Sequence, residues 1–148
     1  MPDHERAVID AAIAILKARL RVPGGYANSP KAAHELAMLH YVNHEIEGFG
    51  VMFLDAQNGL IAVEELFRGT ITQTSVYPRD VARSALRHNA STVILMHNHP
   101  SGSPSPSAAD RSLTRALAES LALLDIKTVD HLIVAGDRVL SFAEERLL

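Results

Sequence analysis

His97 and His99 stand two residues apart in the string MHNHPSGSPSPSAAD, which ends at Asp110. In an extended chain, residues i and i+2 project to the same side, so both imidazoles can converge on one ion. A loop that returns to Asp110, at the start of a helix, adds a carboxylate. Two histidines and one carboxylate make a tetrahedral zinc site with its fourth position open, the mark of catalytic rather than structural zinc. Such an ion lowers the pKa of a bound water from about 15.7 to roughly 7, which gives a nucleophile at neutral pH. A lone H-x-H usually carries no metal. Here the proline-stiffened loop and the acidic residue at a helix start point to one. Ser107-x-x-Asp110 also reads as a capping box, which needs no metal. The two readings agree, because a capping serine fixes the first turn and hence the direction of Asp110.

The elements that must hold these residues follow from periodicity and punctuation. Ile9, Ile13, Leu16 and Leu20 recur at helical spacing, and Val22-Pro23-Gly24-Gly25 is a strong stop. Ser29-Pro30 reads as an N-cap with proline at the first helical position, opening a helix with Leu36 and Leu39 that runs to about Asn43. Phe49 to Leu54 is a short apolar strand, Asp55 to Gly59 a turn, and Leu60 to Phe67 an antiparallel partner. Thr70 to Val76 is expected to be extended. Pro78 opens a helix with Val81, Ala82, Ala85 and Leu86 on its buried side. Thr92 to Met96 is apolar at both parities, as a strand buried on both faces must be, and a Pro/Ser/Gly loop begins at His97. A helix from about Ala108 to Leu124 turns Leu113, Leu117, Leu121 and Leu124 inward. Thr128 to Val134 and Val139 to Phe142 are strands around Gly136-Asp137. The whole reads as one mixed α/β domain.

At 148 residues the chain is about one domain long and needs no staple to fold. Its 47% hydrophobic and 21% charged content excludes a disordered tail, a collagen-like fibre and a coiled coil. Fourteen basic against 17 acidic residues leave a net charge of −3, so bulk charge exerts no pull toward nucleic acid or anionic lipid. There is no cysteine, which excludes a disulfide scaffold and any thiolate ligand or nucleophile. The early apolar run from Ala7 to Leu16 is too short to span a bilayer and lacks a signal-peptide pattern. The expectation is a cytoplasmic protein with no membrane partner.

HNHPSGSPSPSAAD resembles the JAMM signature of MPN-type metallopeptidases, H-x-H, seven residues, Ser, two residues, Asp, with His97, His99, Ser107 and Asp110 at its four fixed positions. The phrases FRGTITQTSVYPRD, HNHPSG, DHLIV and SFAEE resemble the RadC family, most densely from Leu66 to Glu144 and back to about Ser29. The resemblance implies an MPN/JAMM-type, cytidine-deaminase-like α/β fold over residues 29–148, a curved mixed sheet flanked by helices. Residues 1–28 would be an N-terminal helix and linker packed as an extension. It also implies one zinc ion per chain, held by His97, His99 and Asp110. Ser107 would hydrogen-bond the developing oxyanion. JAMM proteins use an upstream glutamate as general acid/base. The RadC-like phrasing selects Glu47, with Glu45 on the same strand parity as the alternative. The implied activity is hydrolysis of an amide in a peptide or protein substrate with an extended tail. RadC-like proteins have no agreed substrate. The chain resembles the short RadC-like proteins of mobile elements, without the helix-hairpin-helix region of the long ones, which weakens any DNA-repair role. The rival reading is a DNA-associated accessory protein with a non-catalytic metal site.

Other residues attract attention for less. An HNH nuclease spreads its histidines and asparagine across a ββα unit, whereas here they are consecutive, and that reading is rejected. Arg79, Arg83 and Arg87 fall on one helical stripe with the geometry to contact phosphates, but a solvated face is the better reading at this net charge. Arg111 and Arg115 either flank a bound tail or face solvent. His131 is read as a hydrogen-bonded structural histidine. His4, His34, His40, His44 and His88 show no ligand spacing and are assigned nothing.

Overall fold

A computed structural model describes residues 1–70 and 75–148. The elements in order are α1 (Asp3–Leu20), α2 (Gly25–Asn28), α3 (Pro30–His40), β1 (Gly48–Leu54), β2 (Leu60–Arg68), α4 (Pro78–Arg87), β3 (Thr92–Asn98), α5 (Ala108–Ala122), β4 (Lys127–Ala135) and β5 (Arg138–Ser141). The strands form one open mixed sheet in the order β2-β1-β3-β4-β5. Only β3 and β4 run parallel, and α5 supplies the crossover such a pair requires.

Strand alternation sorts the core into two halves. On one face Met52, Leu54, Ile94, Met96, Leu132 and Val134 meet Leu16 and Leu20 of α1 and Leu36 of α3. On the other Phe49, Val51, Phe53, Val93 and Leu95 meet Val81 of α4 and Leu113, Leu117 and Leu121 of α5. β1 from Phe49 to Leu54 and β3 from Val93 to Met96 therefore carry no polar side chain, as expected for strands covered on two sides. No helix among the described residues is long and apolar enough to cross a membrane.

The differences from the sequence reading are local. The short helix α2 begins at Gly25, the last residue of the segment read as a stop, and was not expected. It is possible because Gly25 has no side chain: a Cβ there would sit 2.1 Å from the Leu20 carbonyl oxygen. Ser29 occupies the N-cap of α3, but its side chain makes no capping hydrogen bond. The helix ends at His40, not near Asn43, where Tyr41 leaves helical geometry (φ −102°, ψ 5°) and buries its ring. Leu86 is 59% exposed, because α4 is buried along Val81, Ser84 and Ala85 and the next position turns away. Leu124 is 43% exposed, because it lies beyond the end of α5. Of the extended piece expected over Thr70–Val76, residues 71–74 lie outside the described residues.

Leu117 is fully buried where α5 meets the sheet. Leu117→Ala should cost about 2–5 kcal/mol through lost burial and a residual cavity. Chemical denaturation, read as a lower midpoint at constant slope, checks this.

Candidate metal centre

β3 does not end at Met96 but carries on through His97 and Asn98. His97 pairs with Phe49 of β1 on one side and Ile133 of β4 on the other. The His99 amide then donates to the Val134 carbonyl, 2.8 Å away. This extra strand length makes the two histidines share a side, the α5 side, while Asn98 turns to the opposite face. From that side α5 presents Asp110 in its first turn. Ser107 caps the helix: its hydroxyl oxygen accepts the Asp110 amide (3.0 Å), and the Asp110 carboxylate accepts the Ser107 amide (2.8 Å). The carboxylate is thereby aimed at the histidines, 3.2 Å from His97 Nε2 and 3.0 Å from His99 Nε2. The two Nε2 atoms are themselves 3.0 Å apart.

Hydrogen-bond chemistry assigns the protons. The Thr114 hydroxyl has one hydrogen and gives it to the Asp110 carbonyl, 2.7 Å away. It must therefore accept from His131 Nδ1–H, at 2.5 Å. His131 is wholly buried, and that burial drives its pKa far below the ordinary value, so its Nε2 is a bare acceptor. His97 Nδ1, 2.7 Å away, is then the donor. On the other ligand, His99 Nδ1–H donates to the Ser103 carbonyl at 2.7 Å. Both ligand histidines are left with an Nε2 lone pair directed at a carboxylate, a set of acceptors that calls for a cation. Without an ion, protons on these nitrogens answer the carboxylate instead. Burial alone would raise the Asp110 carboxyl, but hydrogen bonds from His97 and His99 reverse this and hold it well below the usual carboxylate range. The Asp110 hydrogen bond is the chief cause raising His99, with the charge of Glu47 among the lesser ones. His97, His99 and Asp110 thus fit a divalent ion, in the His/His/carboxylate set that suits zinc.

Glu47 sits half-buried immediately before β1. Its backbone is clasped by Asn98, whose Oδ1 accepts the Gly48 amide (2.7 Å) and whose Nδ2 donates to the Ile46 carbonyl (3.1 Å). The Glu47 carbonyl also accepts the Gly69 amide at 2.8 Å. Glu45 is exposed and lines a cleft with His40 and His44.

The sequence profile of the RadC-like JAB domain matches residues 27–147. The chain belongs to the RadC-like JAB domain family. A UPF0758 protein of Janthinobacterium sp. (strain Marseille) is 52% identical over 94% of this chain and 62% of its own length. A UPF0758 protein of Thiobacillus denitrificans is 59% identical over 82% of this chain and 54% of its own. The UPF0758 protein YeeS of Escherichia coli K12 is 49% identical over the full length of both. The chain therefore spans little more than half of the first two relatives, at 62% and 54%, and all of the third. None of these names specifies an activity.

In this RadC-like domain three further residues matter to which the sequence reading assigned no part in the centre. Thr114 and His131 set the tautomer of His97, and Asn98 holds the backbone around Glu47. Thr114 is one helical turn past Asp110, which is the only local signal it carries. His131 is hydrogen-bonded and buried, as expected, but its partner is the ligand His97 itself. The arginine stripe is internally engaged. Arg79 lies 5.1 Å over the Tyr77 ring, Arg83 is 3.6 Å from Asp80, and Arg87 is 2.6 Å from Glu64. Arg111 and Arg115 are exposed.

Thr114→Val removes the acceptor for His131 without touching a ligand. Zinc affinity should fall about 10–100-fold, the usual cost of a lost outer-shell partner, in a chelator competition. The raised His99 pKa fixes the sign of the pH dependence. Below that pKa a metal must displace the His99 proton, so affinity should fall with pH, by about tenfold per unit for each proton displaced. Isothermal titration in buffers of different ionisation heat checks the proton count.

Proposed function

We propose that this domain is a zinc-dependent amide hydrolase of the peptidase or isopeptidase type. The observation that carries the reading is the convergence of two lone-pair imidazoles and a carboxylate, each fixed by a second hydrogen bond, near a half-buried glutamate. An ion held by His97, His99 and Asp110 would polarise the scissile carbonyl and acidify water at neutral pH. Glu47 takes the proton of the attacking water on its carboxylate and returns it to the leaving amine nitrogen. Ser107 Oγ already accepts the Asp110 amide, so its own hydrogen is the one offered to the oxyanion. Asn98 keeps Glu47 in place while the proton moves.

An extended peptide or protein tail is the substrate class that the likeness to JAMM proteins implies. A cleft of about 440 Å³ lined by Tyr41, His44, Pro100 and Gly102 reaches His99. The DNA-associated alternative draws no support from the arginine stripe, whose guanidinium groups already have partners of their own.

Glu47→Gln should lower the cleavage rate by about 100-fold or more while zinc content stays that of wild type. The assay uses zinc-loaded protein on a library of linear peptides and lysine-linked isopeptides. Failure of loaded wild type to cleave any member, or full activity in Glu47→Gln, would refute the reading.

A further inference from the structure

His40 and His44, given no role by the sequence, meet Glu65 on the α3 side of the sheet, away from Asp110. His40 is the last residue of α3. The chain leaves the helix at Tyr41 and folds back in a turn closed by the His44 amide on the Tyr41 carbonyl (3.1 Å). The turn brings the two imidazole rings into a stack, with centroids 5.5 Å apart. Glu65 reaches them from β2 across β1, a path that exists because β1 has glycine there. A Cβ on Gly48 would lie 2.6 Å from Glu65 Oε1.

The polar atoms of this cluster are unevenly satisfied. Tyr41 OH lies 3.1 Å from Glu65 Oε1 and 3.3 Å from the Met96 carbonyl, which orients the carboxylate from behind. Glu65 Oε2 then faces both histidines, 2.8 Å from His40 Nε2 and 3.4 Å from His44 Nε2. The His40 contact is a hydrogen bond, but His44 Nε2 is a buried atom on which none is aligned among the described residues. Two imidazole nitrogens directed at one carboxylate oxygen, one of them unanswered, form the donor set of a His/His/Glu metal site with a free position. Access is open, since a cleft of about 520 Å³ lined by Asp10, His40, His44, Glu45 and Arg68 leads to it.

We propose that His40, His44 and Glu65 bind a second divalent ion of the imidazole-preferring kind, such as Zn²⁺ or Co²⁺. Tyr41 is its outer-shell partner, in the role that carboxylates and carbonyls play for metal-bound histidines. The ion would tie the end of α3 to β2 and fix the segment from His44 to Glu47. Nothing in this proposal depends on the hydrolase reading or on the first centre binding metal.

The test isolates the second centre in a chain carrying both His97→Ala and Asp110→Asn. Titrated with Co²⁺, that chain should take up one ion with the visible bands of a low-symmetry histidine site. Adding His44→Ala or Glu65→Gln should lower the affinity by about tenfold or more. A folded double variant that binds neither Co²⁺ nor Zn²⁺, or that binds Co²⁺ as well after His44→Ala, overturns the proposal. If the double variant does not fold, zinc counts on single variants decide. An ion lost in His44→Gln and kept in His97→Ala supports the second centre, whatever happens at the first. A count that His44→Gln leaves unchanged overturns it.

Discussion

His97 is 1% exposed at the end of a central strand, and an imidazole taken out of water must have an answer at both nitrogens. One answer is His131, which in turn needs Thr114, which in turn leans on the Asp110 carbonyl. The other nitrogen faces the Asp110 side chain. The chain of bonds leaves Asp110 by its backbone and comes round to face its carboxylate, where a proton or an ion would close it, tying β3, β4 and α5 together. Phe142 stacks on His131 at 4.7 Å, and Phe49 meets it edge-on at 5.9 Å, so water is kept from these bonds by aromatic walls. Low local polarity strengthens each bond in such a chain and makes any missing member costly.

The tripeptide His97-Asn98-His99 serves two faces of the sheet at once. Its outer members aim at the metal position, and its middle member grips the peptide groups on either side of Glu47. Ligand geometry and the approach of the glutamate are thus set by a single stretch of backbone rather than by two independent loops. The parallel β3–β4 pairing makes that stretch rigid, because Asn98 is itself in register with Val134.

The cluster of His97, His99 and Asp110 was legible because its signals are local. A two-residue spacing, a capping pattern and a proline-rich loop each speak of the residues that contain them. The strand and helix order was legible for the same reason, down to the turn at Asp55–Gly59. What the sequence hid depends on register. Thr114 meets His131 only through the packing of α5 on β4, and His131 meets His97 only through the β3–β4 pairing, which has a shift between Val93 and Ile94. Glu65 faces α3 only because β2 slips against β1 between Phe49 and Gly50, sending Glu64 to Arg87 and His88 instead. His40 and His44 were given no role because the carboxylate they meet, Glu65, lies far along the chain on β2. Leu124 looked buried because periodicity does not announce where a helix stops.

The alternation that makes His-Asn-His work also makes it brittle to changes of length. Deleting or inserting one residue in β3 ahead of the motif would reverse the faces of everything after it. Both imidazoles would then point toward α3, and the amide would occupy the place meant for a ligand. No side-chain substitution elsewhere restores that arrangement, because the error lies in the count of residues and not in their chemistry. The distance from Ala90 to His97 is thus a fixed quantity of the design.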